Sequence, residues 1–350
     1  MRSSDSANGT RRFILVGLGW WGEGWARELL SSPRTELVGI VDTDRAALDS
    51  VGDAVGVPAS GRFTHVNDAL ETLDAHAALV VVPPALHAPV SMACLSAGLD
   101  VLLEKPFAPT LEEARPVVDL ADSLGRTLMI SQTFRFRRGP TTVRRLIAAG
   151  TIGRVEQIFG TFQKASPFTG FRTEMAEPLI VDMAIHHFDF IRGVFGLEPF
   201  KVRARSFNPS WSRFDGNASA LVEFATADGA VVSWTGSYVS RGPLTTWDGA
   251  WDIHGTRGSL RWAENEVTLR PTEFADTIYL PGAVEKSGDV MSVDLVDMPL
   301  EERAAVLDEF VGALDDGREP VPSGRDNLGS IALVLAAAES ARRGGEEVLV

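Results

Sequence analysis

The segment from Arg12 to Asp42 constrains the fold more than any other part of the chain. Phe13-Ile14-Leu15-Val16 is a continuous, β-rich apolar run that stops at glycine, the pattern of a buried strand. Gly17-Leu18-Gly19-Trp20-Trp21-Gly22 follows, Glu23–Leu30 has helical character, and Glu36–Val41 reads as the next strand, ending at Asp42. Gly22 and Asp42 are 20 positions apart, the spacing expected between the last glycine of a dinucleotide fingerprint and the acid that meets a ribose. Gly17 permits the tight turn, Gly19 lets backbone N–H groups approach a pyrophosphate, and Gly22 lets the helix pack close to the strand. The helix start then offers unpaired donors and a positive dipole end to phosphates. Glycine-rich turns have many other uses. A strand before, a helix after and an acid in place favour a dinucleotide site over a plain βαβ turn.

The pattern continues beyond Asp42. Arg45–Val51 and Asn67–Leu73 read as short helices, the second with Asn67 as its N-cap. Ala77–Val82 is a pure apolar run stopped by Pro83-Pro84, as a central parallel strand would be. Ala88–Ala97 is a helix ended by Gly98, and Asp100–Leu103 a buried strand with Glu104-Lys105-Pro106 at its carboxyl end. Thr110 and Glu113 form a capping box for the helix Leu111–Leu124, and Thr127–Ser131 is a further strand. Alternating strands and helices over residues 12–133 predict a doubly wound parallel sheet of the Rossmann type, with ligands at the carboxyl ends of its strands. From Thr133–Pro140 onward the alternation stops. Arg154–Lys164 is a long strand, the loop Ala165–Glu177 leads into a helix over Leu179–Phe195, and strands then dominate up to Ala263. Asp228-Gly229 marks an antiparallel hairpin. Helices over Glu302–Asp315 and Asn327–Arg342 close the chain. The expected organisation is an α/β fold: a polar, disordered tail over residues 1–11, a nucleotide-binding domain over 12–133, and an α+β domain over 134–350 with a large open, mostly antiparallel sheet.

Composition narrows the partners. A formal charge of −14 disfavours nucleic acid and anionic membranes, because the phosphate term would be repulsive. No apolar h-region precedes the first strand, and no uncharged apolar run approaches the roughly 18 residues of a spanning helix. A single cysteine, Cys94, makes a cysteine-based metal site improbable and fits a reducing cytoplasm. No metal is expected.

Four lysines are present in the whole chain, and one of them, Lys105, stands where a parallel strand delivers its side chain over the cofactor. The alternative, a surface lysine paired with Glu104, is the commoner fate of such a residue. The position after a buried strand favours function. Asp182 and His186 are four apart on the helix Leu179–Phe195. A carboxylate one turn from an imidazole orients it and favours its protonated form, as a base accepting a hydroxyl proton requires. Read without Lys105 and the glycine loop, Asp182 would be a first-turn acid and His186 a core histidine. His187 points about 100° away and is assigned to structure. Pro83, His87, Glu104 and Lys105 join Gly17, Gly19, Trp20, Trp21, Gly22 and Asp42 in the cofactor-side set. His87 either contacts the nicotinamide region or caps the following helix. Arg135, Arg137 and Arg138 cluster at the domain boundary and read either as a site for a charged substrate group or, the favoured reading, as a solvated or subunit-facing patch.

With these residues in place, the sequence resembles the glucose–fructose oxidoreductase/inositol dehydrogenase (Gfo/Idh/MocA) family over nearly its whole length from Arg12. The stretches that carry the resemblance are VGLGWWG from Val16, VVVPPALHAP from Val80, AGLDVLLEKPFA from Ala97, GTIGRV from Gly150, DMAIHHFD from Asp182 and HGTRGSL from His254. The resemblance implies an NAD- or NADP-dependent oxidoreductase that acts on a secondary alcohol of a sugar or cyclitol, assembled as a homodimer or homotetramer. The family's EKP lysine matches Lys105, and the acid and histidine of its DxxxH pattern match Asp182 and His186. Relatives that cleave glycosidic bonds with bound NAD, and non-catalytic NAD-binding regulators, remain alternatives. One departure is visible: many members carry Gly-Gly just before the DxxxH helix, where this chain has Glu177-Pro178. NAD is expected over NADP, because Asp42 and Asp44 would repel a 2′-phosphate, with Arg45 as the opposing charge.

Overall fold

A computed structural model of the chain describes residues 9–271 and 289–350. Most of the expected tail, residues 1–8, lies outside the described residues. Two compact units are present. The first runs to Phe136 and takes in Leu300–Ile331, and the second comprises Arg137–Pro299 and Ala332–Val350.

The first unit contains six parallel strands: β1 (Arg11–Val16), β2 (Thr35–Val41), β3 (Arg62–Phe63), β4 (Ala77–Val80), β5 (Asp100–Glu104) and β6 (Leu128–Ser131). Their order, β3-β2-β1-β4-β5-β6, is that of a doubly wound sheet. β1 lies between β2 and β4, all of β4 is buried, and the apolar runs read from the sequence are these strands. Five helices connect them: α1 (Trp20–Ser31), α2 (Arg45–Val55), α3 (Val66–Thr72), α4 (His87–Ser96) and α5 (Leu111–Leu124). α5 starts as expected, with Thr110 Oγ1 accepting from the Glu113 amide at 3.2 Å. α3 starts one residue earlier than expected, after His65, so Asn67 lies inside its first turn and caps nothing.

The segment Leu300–Ile331 was expected in the second domain, yet it packs with the first unit. Its helix Glu302–Asp316 buries Val306, Leu307, Phe310 and Val311 in the same core as Phe13, Leu15 and Trp25. Phe310 meets Phe13 edge to face at 6.1 Å. Asp315 accepts from Arg11 and Arg34, at 2.7 and 2.8 Å. An amphipathic pattern states that a helix has an apolar face but not which core the face covers.

In the second unit, α6 (Arg138–Ala148), a short α7 (Phe171–Glu174) and α8 (Ala184–Gly193) accompany a nine-stranded sheet. The strands are β7 (Val155–Gln163), β8 (Pro199–Phe207), β9 (Ser219–Thr226), β10 (Val231–Ser237), β11 (Ala250–Gly255), β12 (Gly258–Ala263), β13 (Glu266–Pro271), β14 (Met291–Val293) and β15 (Val348–Leu349). Their order is β14-β13-β12-β11-β7-β10-β9-β8-β15. Among the described residues only β7 and β10 pair in parallel; the other pairs are antiparallel. Asp228-Gly229 forms the expected hairpin between β9 and β10, with Gly229 at φ +94°. No described helix is long and apolar enough to cross a membrane.

One face of this sheet packs on α8 through aromatic side chains. Phe188 meets Phe224 and Trp234 at 4.8 and 5.3 Å between centroids. His187 lies inside the same layer, against Phe162, Phe190, Trp234 and Trp251. Its Nδ1 accepts from Trp234 Nε1 at 3.1 Å, and its Nε2 donates to the Trp247 carbonyl at 3.0 Å. This is the neutral tautomer, held in the core as the sequence reading assigned it. Burial drives its pKa down to about 4. Between the free-imidazole value of about 6.5 and that value the unfolded chain binds the extra proton, so stability falls as pH drops through this window. Denaturant unfolding at pH 7.5 and pH 5 should show wild type losing about 2 kcal/mol more than His187→Gln. Equal losses in the two proteins would contradict this assignment.

Candidate functional site

The carboxyl end of the parallel sheet carries the first group of predicted residues. Gly17 has φ +96°, and a Cβ there would lie 2.4 Å from the Val81 carbonyl oxygen. A Cβ on Gly22 would lie 2.1 Å from the Gly17 carbonyl oxygen, so both positions exclude a side chain. Gly19 differs: a Cβ there meets nothing within 4 Å. Gly19 is also the N-cap of α1, and no side chain caps the amides of that first turn. Open space before an uncapped helix start is what a pyrophosphate requires. Asp42 closes the loop from the other side. Its Oδ2 accepts from the Leu18 amide at 2.7 Å and its Oδ1 from the Asp44 amide at 2.9 Å, which sets the carboxylate beside the glycine turn. The residues present therefore fit a dinucleotide.

Glu104 has a more central position than the sequence indicated. Its side chain is buried, at 4 % exposure, and both carboxylate oxygens accept from the protein. Oε1 takes Trp21 Nε1 and Trp25 Nε1, each at 2.7 Å, and Ser131 Oγ at 3.1 Å. Oε2 takes the backbone amide of Lys105 at 3.0 Å. Glu104 thus ties α1, β6 and the Lys105 turn together. Trp21 is held on its ring face as well, by the Arg303 guanidinium at 4.8 Å. Trp20 packs on Trp21 at 5.2 Å yet remains 81 % exposed beside the uncapped helix start.

His87 does not cap α4, which was one of its two sequence readings; the N-cap is Leu86. Its ring is buried, with Nδ1 2.6 Å from the Pro106 carbonyl oxygen and Nε2 2.8 Å from that of Val82. It joins the turn after β4, where Pro83 stands, to the turn that carries Lys105. Burial pushes its pKa down, against the pull of the two carbonyls and of Glu104.

The second unit places Asp182 and His186 close in sequence but not on one regular helix, as had been expected. Leu179–Met183 is a π-helical turn, closed by the Ala184 amide donating to the Leu179 carbonyl, and α8 follows. Such wide turns recur at functional sites. Pro178 precedes it, where a missing N–H costs nothing. Glu177 is fixed outside the turn, its Oε1 accepting from Ser206 Oγ and Asn217 Nδ2 at 2.8 and 2.9 Å. Asp182 lies within the wide turn, and His186 is buried one α-helical turn on. Arg172 Nε donates to Asp182 Oδ2 at 2.8 Å, and the Tyr238 hydroxyl lies 3.5 Å from the same oxygen. Burial and the Asp182 charge raise the Tyr238 pKa well above its ordinary value, so its hydroxyl stays protonated and donates.

Arg172 and Tyr238 were absent from the sequence reading. Arg172 lies on the short α7, in a segment the sequence showed only as an irregular loop, and Tyr238 follows β10, so neither shows a spacing relative to Asp182. The arginine patch is corrected in part: Arg138 is solvated as expected, while Arg135 and Arg137 are drawn into ion pairs inside the fold. Arg135 is buried and paired with Asp326 at 3.1 Å, Arg137 pairs with Asp248, and Arg138 reaches Asp297 at 2.9 Å.

An uncapped glycine-rich helix start, set in a parallel sheet with a lysine at a strand terminus, defines the class of nucleotide-dependent oxidoreductases. The sequence profile of the oxidoreductase family with NAD-binding Rossmann fold (GFO_IDH_MocA) matches residues 11–132, and that of the GFO/IDH/MocA C-terminal domain matches residues 141–261. The chain belongs to the Gfo/Idh/MocA oxidoreductase family, and its first unit is an NAD-binding Rossmann domain. It is 28% identical over 344 residues to an uncharacterized protein of Sinorhizobium fredii, covering 96% of this chain and 94% of that one. It is 27% identical to an inositol 2-dehydrogenase of Rhizobium meliloti, covering 95% and 97%. Among solved structures, an Agrobacterium radiobacter oxidoreductase in complex with NAD+, L-tartaric acid and magnesium shares the fold. Its TM-score is 0.84 at 20% identity, over 97% of this chain and 98% of that chain.

The carboxylate of Asp42 leads to a cofactor preference. Tryptophan emission, reported by Trp20 at the helix start, should give tighter binding for NADH than for NADPH. Tighter NADPH binding would show that Arg45 outweighs Asp42 and Asp44.

Proposed function

We propose that the protein is an NAD-dependent dehydrogenase that moves a hydride between nicotinamide and a carbon bearing a secondary hydroxyl on a sugar or cyclitol. The observation that carries this reading is the buried Glu104 carboxylate, which holds the Lys105 turn to the same helix whose start would meet the pyrophosphate. A protein that only sensed nucleotide would have no use for a lysine on a turn held in that way. The names of the relatives support the reading, inositol 2-dehydrogenase and D-apiose dehydrogenase among them.

Bound NAD supplies the hydride acceptor. His186 takes the hydroxyl proton, because a secondary alcohol is far too weak an acid to ionise unaided and an imidazole is matched to neutral pH. Asp182 orients that imidazole and stabilises its charged form. Arg172 holds the Asp182 carboxylate in place. Lys105 donates a hydrogen bond to the developing alkoxide, which stabilises charge that grows in the transition state.

Self-association belongs to the same proposal. Phe159, Phe207 and Leu221, on β7, β8 and β9, are each more than two-fifths exposed. Sedimentation of the purified chain should give a dimer or tetramer; a monomer at every concentration would remove this part.

NAD+ reduction against a panel of cyclitols, aldoses and sugar acids tests the activity. On the best substrate His186→Ala should lower turnover about 10²–10⁴-fold, the range for loss of a general base, with NADH affinity nearly intact. Lys105→Met should slow turnover as well. Near-wild-type turnover in His186→Ala would return His186 to the core.

A further inference from the structure

In the second unit an aromatic row runs beside Asp182, with a cation at each end. The Arg172 guanidinium lies 5.3 Å from the Phe168 ring centroid, and the Phe168 ring 6.2 Å from that of Trp247. Lys164 Nζ stands 5.0 Å from the Trp247 centroid at the far end. Phe168 also meets Tyr238 at 5.3 Å, and Tyr238 reaches Asp182, so the row is continuous with the acid–histidine pair.

The two cations are not equivalent. Arg172 is committed through Nε to Asp182. Lys164 has no carboxylate within salt-bridge distance among the described residues. Asp248, the acid that acts on it electrostatically, is paired with Arg137. Partial burial pulls the Lys164 pKa down, against the weaker pull of the Asp248 charge. Lys201, by comparison, is paired with Glu347 at 3.2 Å. In a chain with four lysines and a net charge of −14, a lysine laid against a tryptophan with no direct salt bridge suits an anion. Trp247 is 40 % exposed, and its ring offers an apolar platform to the C–H face of a pyranose.

We propose that this row binds a carbohydrate acid, with the sugar ring against Trp247 and its carboxylate on the Lys164 ammonium. A neutral cyclitol would leave Lys164 partly desolvated and without a partner; a carboxylate forms a charge-assisted hydrogen bond with it. The inference deepens the dehydrogenase reading by naming a substrate class, but binding itself does not require hydride transfer.

Calorimetry on the full chain with NADH present tests it, using D-glucuronate, D-galacturonate and D-gluconate against D-glucose, D-galactose and D-glucitol. At least one acid should bind ten or more times tighter than its neutral counterpart. Lys164→Met, which keeps an apolar stem, should reduce that preference about ten- to a hundredfold, the range for loss of a hydrogen bond to a charged group. Lys164→Arg should restore most of it. No preference for any acid, or a preference that survives in Lys164→Met, would overturn the proposal. Turnover of neutral sugars with no acid preference would overturn it and leave the dehydrogenase reading intact. Lys164-dependent binding of an acid with no NAD+ reduction would uphold it and remove that reading.

Discussion

A buried carboxylate must be paid for in hydrogen bonds, and Glu104 sets the geometry of the first unit through that requirement. A charge with so little exposure costs several kcal/mol unless its oxygens are fully served. Trp21, Trp25, Ser131 and the Lys105 amide serve them. None of the four can move without leaving charge unsatisfied. The helix that begins at the glycine loop, the edge strand β6 and the lysine turn therefore keep one relative position. His87 adds a second brace, between the turns after β4 and β5.

The second unit solves the same problem differently. Its inner layer is aromatic, and the imidazole at its centre is kept neutral by burial, with its tautomer set by the Trp234 donor on Nδ1 and the Trp247 carbonyl on Nε2. Of the two adjacent histidines, the proposed proton transfer therefore falls to His186. The π turn before it places Asp182 where Arg172 and Tyr238 converge on one oxygen. A regular helix would have given Asp182 a different bearing relative to α7, which carries Arg172.

Much of the first unit was legible because its signals are local. Apolar runs stopped by glycine or proline identified β1, β4 and β5, and the Thr110–Glu113 box marked the start of α5. The glycine assignments were legible too, since Gly17 and Gly22 sit where no side chain fits. The rest was hidden by distance along the chain. Nothing near Phe310 shows that it covers Phe13, and nothing near Arg172 shows that it pairs with Asp182. The short strands β13, β14 and β15 were missed as well; each gains its hydrogen bonds from a neighbour already in the sheet.

The sequence by itself determined the nucleotide-binding half and the spacing of the side chains proposed to react, because both lie within one turn or one strand. Lys105 follows a buried strand, and Asp182 and His186 are four residues apart, whatever the remainder of the chain does. Tertiary structure alone decided how those groups are held. The π turn, the Glu104 hub, the return of Leu300–Ile331 to the first unit and the row from Arg172 to Lys164 all join residues far apart in sequence. Such contacts depend on burial and on which donors remain unsatisfied once the chain has folded. No local pattern in the sequence records either.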